Sequence, residues 1–488
     1  MKLNNYKPEE VVVAVDIGTT KVCAVAGRRN EHGKLEILGL GKVPCEGVIR
    51  GVVSNIEKTV RAIREAVSIV EKQIDAKVKV VHVGIAGQHI KSLHHHGILT
   101  RDNAHDEISQ SDIDHLINDM YKLVLPPGDK ILHVIPQEYT VDNEQGITEP
   151  IGMSGIRLEG NFHIITGQIT ASNNILRCIK KAGLEAADIT LEPIASSAAV
   201  LNQEEKEAGI ALVDIGGGTT DLTIFYEGII RHTAVIPFGG YVITKDIKEG
   251  CTIMSHQAEK LKVKFGSALA DEVLENKIIT IPGLKGRAPK EISEKNLARI
   301  IQARIEEILE YIVYEIERSG YKNKLIGGIV LTGGGSKLKY IEELIEYHTG
   351  IPTKVSYPIE HLAHGYIKDL SSPVFSTSIG LLLNGFESRK YGCAIEVEEE
   401  DEVEEVFQPV SSPVSSVKME ENKPKDELRP ESSNPEKEDS KKIEGGGASR
   451  DTNRYTDAEV NSEEKGFWNK VFNKTKDWFE ASPDSDLN

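Results

Sequence analysis

At 488 residues, 39% of them apolar and 27% charged, the chain is too long for one ordinary hydrophobic core and is expected to fold as two or more domains. Its net charge of −18 argues against binding nucleic acid, and residues 394–464 hold most of that charge, with 22 acidic against 9 basic side chains. The five cysteines are scattered without a C-x-x-C pair, no signal peptide is evident, and no apolar run reaches the ~18 residues a bilayer crossing needs, so a reducing cytoplasm and at most peripheral membrane contact are expected.

The first expected element is a β-branched strand over 11–15, ending in Asp16-Ile17-Gly18. Thr19-Thr20-Lys21 follow as a tight turn into a second strand over 22–26. Helical periodicity marks 56–70, 175–182 and 194–201. The opening pattern then returns about 198 residues later: a strand over 211–213, the turn Asp214-Ile215-Gly216-Gly217-Gly218-Thr219-Thr220-Asp221, and a strand over 222–225. Helices are expected over 256–265 and 297–316. A third junction runs from a strand over 329–331 through Thr332 and Gly333-Gly334-Gly335-Ser336 into a helix over 338–347. Strands alternating with helices place the chain in the α/β class. Eight of the ten residues from Glu396 to Glu405 are acidic, and Ser/Pro/Glu/Lys-rich sequence continues to Ser449. Such sequence buries too little apolar surface to offset its chain entropy, so disorder is expected there.

Glycines let a backbone approach phosphate oxygens, while N–H groups and Thr hydroxyls supply donors. An aspartate at the strand end offers a hard oxygen to Mg²⁺, through water. One D-x-G-T-T turn alone is most simply a hairpin; two in the same strand context, with a third glycine turn, point to a nucleotide. The pattern is neither a Walker A loop nor a Rossmann fingerprint.

On these motifs the chain resembles the actin-like (ribonuclease H-like) ATPase superfamily, in which two similar domains clamp ATP. That resemblance makes Asp16, Gly18, Thr19, Thr20 and Lys21 the first phosphate motif, with Asp16 toward Mg²⁺. It makes Asp214, Gly216, Gly217, Gly218 and Thr219 the second, and Gly333, Gly334, Gly335 and Ser336 the adenosine motif. Glu259 and Lys262, one helical turn apart, resemble the adenine and ribose contact. Glu192 sits where bacterial actins place the residue that orients the attacking water; it is equally accounted for as a first-turn carboxylate favoured by the helix dipole. Asp214 or Glu192 would then be the catalytic residues, for at most a weak ATPase.

Within that superfamily the segments 133–160, 191–201, 238–246, 281–288 and 297–307 resemble the FtsA family of bacterial cell division proteins, over roughly residues 10–388. The resemblance implies domain I at 1–84, continued by 166–200 and 370–388, with an inserted SHS2-like subdomain at 85–165. It implies domain II at 201–242 and 313–369, with a small subdomain at 243–312. It further implies head-to-tail filaments, other division proteins as partners, and binding of the acidic C-terminal peptide of FtsZ by Arg304, assisted by Arg287 and Lys290. Those three are otherwise the solvated basic face of a surface helix.

Residues 389–462 would be an acidic linker. At 100° per residue the segment 463–480 places Phe467, Trp468, Val471, Phe472, Trp478 and Phe479 within an arc of about 140°, edged by Lys470 and Lys474. Aromatic residues and lysines of this kind suit an anionic membrane interface; the segment can also be read as a helix docked on protein. The combined expectation is an ATP- and Mg²⁺-binding protein that anchors FtsZ at the inner face of the cell membrane, at the division site, and supports septum formation. An actin-like pilus-assembly component and a small-molecule kinase of the same superfamily are the alternatives.

Overall fold

The computed structural model describes residues 10–103, 106–275, 277–283, 288–363, 368–388 and 395–396. The first strands β1 (Val12–Ile17), β2 (Lys21–Arg29) and β3 (Leu35–Pro44) form an antiparallel meander. A short hairpin, β4 (Val48–Ile49) with β5 (Val52–Val53), leads into α1 (Ile56–Ile74), whose N-cap Asn55 accepts from the Lys58 amide at 3.0 Å. The apolar stripe of α1 (Val60, Ile63, Val67, Val70) faces the sheet. After β6 (Lys77–Val78), β7 (Val80–Ile85) lies parallel to β1.

The chain then leaves this sheet for β8 (Lys91–Thr100), α2 (Gln110–Met120), β9 (Asp129–Val141), β10 (Glu144–Ile147) and β11 (Arg157–Gln168). These form a separate antiparallel sheet in the order β10-β9-β11-β8, with its own core of Leu116, Leu158, Phe162 and Ile164 under α2. The chain returns through α3 (Ile169–Ala182) to β12 (Glu185–Leu191), parallel to β7, and to α4 (Glu192–Val200). The first sheet thus reads β3-β2-β1-β7-β12.

After α5 (Gln203–Ala208) the same order recurs. Strands β13 (Ile210–Ile215), β14 (Thr220–Tyr226) and β15 (Ile229–Ile236) form the second meander. An appendage follows: α6 (Gly240–Cys251), α7 (Ser255–Phe265), the hairpin β16 (Ile278–Ile281) with β17 (Lys290–Ser293), and the start of α8 (Glu294–Arg318). Then come β18 (Ile329–Thr332), α9 (Ile341–Thr349) and β19 (Thr353–Val355), giving β15-β14-β13-β18-β19. The last helix, α10 (Ser376–Ser388), is apolar nearly all round, and β20 (Ile395–Glu396) pairs with β6.

Helices α4 and α10 pack on each other and join both sheets in a third core containing Ala14, Ala195, Leu212, Ile379 and Leu382. Their approach requires glycine: a Cβ at Gly380 would fall 1.7 Å from the Ala195 carbonyl oxygen. The inserted sheet also touches the second half. Gln137 Nε2 donates to the Ile230 carbonyl at 2.9 Å, capping the free edge of β15.

The helices expected over 56–70, 175–182, 194–201, 256–265 and 297–316 are present as α1, α3, α4, α7 and α8. One junction differs. No helix starts at Leu338; a 3₁₀ turn spans Gly335–Lys337, Tyr340 takes a left-handed conformation (φ 59°), and α9 begins at Ile341. The interposed turn withdraws that helix N-terminus from the glycine turn it was expected to serve.

Candidate functional site

The two hairpin turns meet at their tips. A Cβ at Gly218 would stand 2.3 Å from Thr19 Oγ1, and one at Gly217 would stand 2.6 Å from Thr20 Cγ2. Only glycine lets the second turn come this close to the first. Each turn is closed in the same way, by Gly18 N–H to the Lys21 carbonyl at 3.0 Å and by Gly216 N–H to the Thr219 carbonyl at 2.9 Å. The second turn is further seated on α6, since the Gly240 and Tyr241 amides donate to the Gly216 and Gly217 carbonyls at 2.9 and 2.7 Å.

Behind the turns, at matching ends of β1 and β13, lie Asp16 and Asp214, 5% and 7% exposed. Lys21 Nζ sits 3.2 Å from Asp16 Oδ2, which also accepts from Ser378 Oγ at 3.1 Å. Asp214 Oδ2 accepts from Ser196 Oγ at 2.7 Å and Thr377 Oγ1 at 3.2 Å. Asp221, on β14, receives only Thr219 Oγ1 at 3.3 Å, and its Oδ1 is buried without a partner. Glu192 opens α4 against Gly84, where a Cβ would be 2.9 Å from Glu192 Cγ.

Four carboxylates therefore crowd one space beside a single ammonium. Burial, then Asp16, Asp221 and Asp214, push Glu192 well above the usual carboxylate range. Burial and then Asp214 do the same to Asp221. Asp214 is raised less, because its hydroxyl donors oppose the burial. Burial, the largest single influence, would depress Lys21, but Asp16 by charge and hydrogen bond, with Cys23 and Asp214, together outweigh it and keep the ammonium charged. Such a surplus of hard oxygens, one of them an orphan, fits a hydrated divalent cation such as Mg²⁺ held through its waters. Among the described residues no three His, Cys, Asp or Glu side chains are set to ligate a metal directly.

The third turn lies on the second. Gly333 has φ +81°, and a Cβ there would fall 2.2 Å from Asp214 Oδ1; Ser336 Oγ closes the turn onto the Gly333 carbonyl at 2.8 Å. Glu259 and Lys262, on α7, pair at 2.9 Å and reach the first turn of α6. There Lys262 Nζ donates to the Gly240 carbonyl at 2.7 Å and to Thr244 Oγ1 at 2.9 Å. A cavity of about 850 Å³ opens beside the third turn, lined by Ser336, Lys337, Tyr340, Glu343, Tyr357 and Pro373; neither hairpin turn lines it.

Arg304, on α8, is half-buried and already engaged by Asp246 of α6 (Nη2 to Oδ1, 3.0 Å) and by Glu307. Lys290 reaches the Thr252 carbonyl at the other end of α6, at 3.2 Å. Arg287 lies outside the described residues, as do Phe467, Trp468, Lys470, Val471, Phe472, Lys474, Trp478 and Phe479 with the linker that precedes them. The site residues that sequence reasoning left out are Ser196, Thr377 and Ser378, and Asp221 was read only as the end of the second turn. The Ser376-Thr377-Ser378 run interrupts an otherwise apolar stretch, which is a usable signal only once α10 is known to enter the cleft.

A family model described as "Cell division protein FtsA" matches residues 211–380, and one described as "SHS2 domain inserted in FTSA" matches residues 87–166. The chain is 39% identical over 389 residues to cell division protein FtsA of Pseudomonas aeruginosa, covering 80% of this chain and 92% of that one. It is 42% identical over 375 residues to the protein of the same name from Neisseria meningitidis, covering 77% and 90%. Among solved structures, a chain of a PilM-PilN type IV pilus biogenesis complex aligns with a TM-score of 0.56 at 15% identity, covering 77% of this chain and 98% of that one. At that identity the likeness bears on the fold alone, and the fold is actin-like.

Proposed function

This chain belongs to the FtsA family of cell division proteins, and from that premise we propose that it binds ATP, polymerises, and anchors FtsZ to the inner face of the cell membrane. The observation that carries the nucleotide part is the tip-to-tip meeting of two like turns over buried Asp16 and Asp214. The β- and γ-phosphates would part the turns and take donors from Gly18, Thr19, Thr20, Gly216, Gly217, Gly218 and Thr219. Lys21 adds a fixed positive charge. Asp16 would hold a hydrated Mg²⁺, which when bound neutralises phosphate charge. Gly333 to Ser336 and the Glu259–Lys262 pair would border the adenosine. Glu192 or Asp214 would position a water, for weak hydrolysis at most.

The domain limits follow the same reading: domain I at 1–84, 166–200 and 370–388 around an SHS2-type subdomain at 85–165, and domain II at 201–242 and 313–369 around a small subdomain at 243–312. The FtsZ tail would bind along α6 and α8. An acidic peptide there must exchange with Asp246 and Glu307 for the Arg304 guanidinium, with Lys290 and Arg287 adding charge. Among the described residues no helix is long and apolar enough to cross a membrane; attachment would be through the aromatic, lysine-edged segment 463–480. One such helix binds lipid reversibly, and a head-to-tail filament would multiply it through avidity.

The test is co-sedimentation with anionic vesicles and ATP–Mg²⁺, comparing the intact chain with one ending at Ser462. Lipid binding by the intact chain alone, followed by recruitment of FtsZ to the same vesicles, supports the reading. Equal pelleting of both removes the membrane role from the terminal segment. Failure to capture an FtsZ tail peptide would favour the pilus-assembly alternative.

A further inference from the structure

We propose that Arg50 reads the terminal phosphate of a nucleoside triphosphate, an assignment that rests on the nucleotide reading above. Arg50 and Gly51 form the tip of the β4–β5 hairpin, both left-handed, with φ 50° and 75°. For Gly51 this costs little, and its missing Cβ is required, since one would stand 2.7 Å from Gly87 Cα. For an arginine the left-handed region is less favourable, and the two-residue hairpin loop imposes it here. The tip packs on Gly87 and is tied to the first phosphate turn, where the Gly51 amide donates to Thr19 Oγ1 at 3.2 Å.

The guanidinium of Arg50 lies across the cleft, 5.8 Å from the centre of the Phe238 ring. Phe238 belongs to the other side. Its carbonyl accepts from Thr220 Oγ1 at 2.8 Å, and it lies two residues before Gly240, which with Tyr241 seats the second turn. Lys21 and Lys262 are already held, by Asp16 and by Glu259 with the Gly240 carbonyl. Arg50 is exposed and has no carboxylate or carbonyl partner among the described residues. An unpaired guanidinium resting on an aromatic face at the meeting point of two phosphate turns has a replaceable partner.

A phosphate that parts Thr19 from Gly218 also draws the hairpin off Phe238. The planar fork then exchanges the ring face for two phosphate oxygens, a stronger, charge-assisted contact. In this assignment the β-phosphate is taken by the two turns and the γ-phosphate by Arg50, so a diphosphate, though it too parts the turns, leaves the fork without phosphate oxygens to hold. Arg50 would then distinguish ATP from ADP.

The experiment measures the affinities of fluorescent ATP and ADP analogues with Mg²⁺ for the full chain, R50K, R50A and R50G. R50A is expected to weaken ATP by about 10-fold or more while leaving ADP within about 2-fold, with R50K in between. R50G suits the left-handed tip, and the same selective loss in it assigns the effect to the guanidinium. Equal weakening of ATP and ADP would mean that Arg50 only clasps Phe238, and overturns the proposal, as does no change in either. If the unaltered chain binds neither nucleotide, the parent reading falls first; if it binds both, the variants judge Arg50 alone.

Discussion

Gly333 shows how little room the buried aspartates leave. Its positive φ and the 2.2 Å that would separate a Cβ from Asp214 Oδ1 exclude every other residue without a backbone shift. Gly333→Ala is expected to cost at least ~2 kcal/mol by urea unfolding and to abolish ATP binding, because the side chain displaced is the one that anchors the second turn. The Asp-Ile-Gly turns and the third glycine turn were legible in the sequence, since the pattern occurs twice in the same strand context and a third glycine turn follows. The hydroxyls that hold the aspartates were not. Ser196 and Thr377 are 181 positions apart and meet only because α4 and α10 pack together. Asp221 was read as the end of a motif, whereas its unpartnered oxygen and its distance from solvent emerge only from the packing of β14.

Among the elements, β9 and β11 carry imidazoles that the fold keeps neutral. His133 accepts from the Leu191 amide at 3.1 Å, and burial pulls it down to about 4. His163, inside the contact between the inserted sheet and β15, is likewise pulled to about 4, by burial and then by His94. Unfolding restores the ordinary value near 6.5, so between pH 4 and 6.5 the unfolded chain binds more protons and stability rises with pH. Each histidine contributes up to about 3 kcal/mol at neutral pH that is lost on acidifying to pH 4. The raised carboxylates of the cleft act in the opposite sense, so the check is a difference: denaturant unfolding at pH 5 and 7 for the unaltered chain and His163→Gln, with the smaller pH dependence expected in the variant. The strand–turn–strand pairs were readable because β-branched runs leave no competing helix. The inserted sheet was placed by resemblance alone, because β8 carries Leu93-His94-His95-His96 with little alternation of burial. The late start of α9 was missed because Tyr340, a residue with no bias toward the left-handed region, interrupts a pattern that otherwise continues.

For the molecule as a whole, the chain divides into two units after Val403. A chain ending there is expected to unfold within about 2 °C of the full-length midpoint by differential scanning fluorimetry, since none of the described core residues is removed. A large drop would mean that the last 85 residues stabilise the folded part as well as extend it. Two or more domains were anticipated from length, and two similar ones from the superfamily resemblance; the turns that repeat about 198 residues apart stand in two sheets of equal strand order.

Those equal orders also give the molecule an internal pseudo-symmetry. Each half runs meander, crossover helix, strand, helix, strand and final helix. The additions interrupt different connections: in the first half the SHS2-type sheet sits after the fourth strand, in the second the α6–α7–hairpin group sits after the third. Two additions at unlike points break that pseudo-symmetry on the outside of the molecule, while the matching turns and the paired Asp16 and Asp214 keep it at the centre.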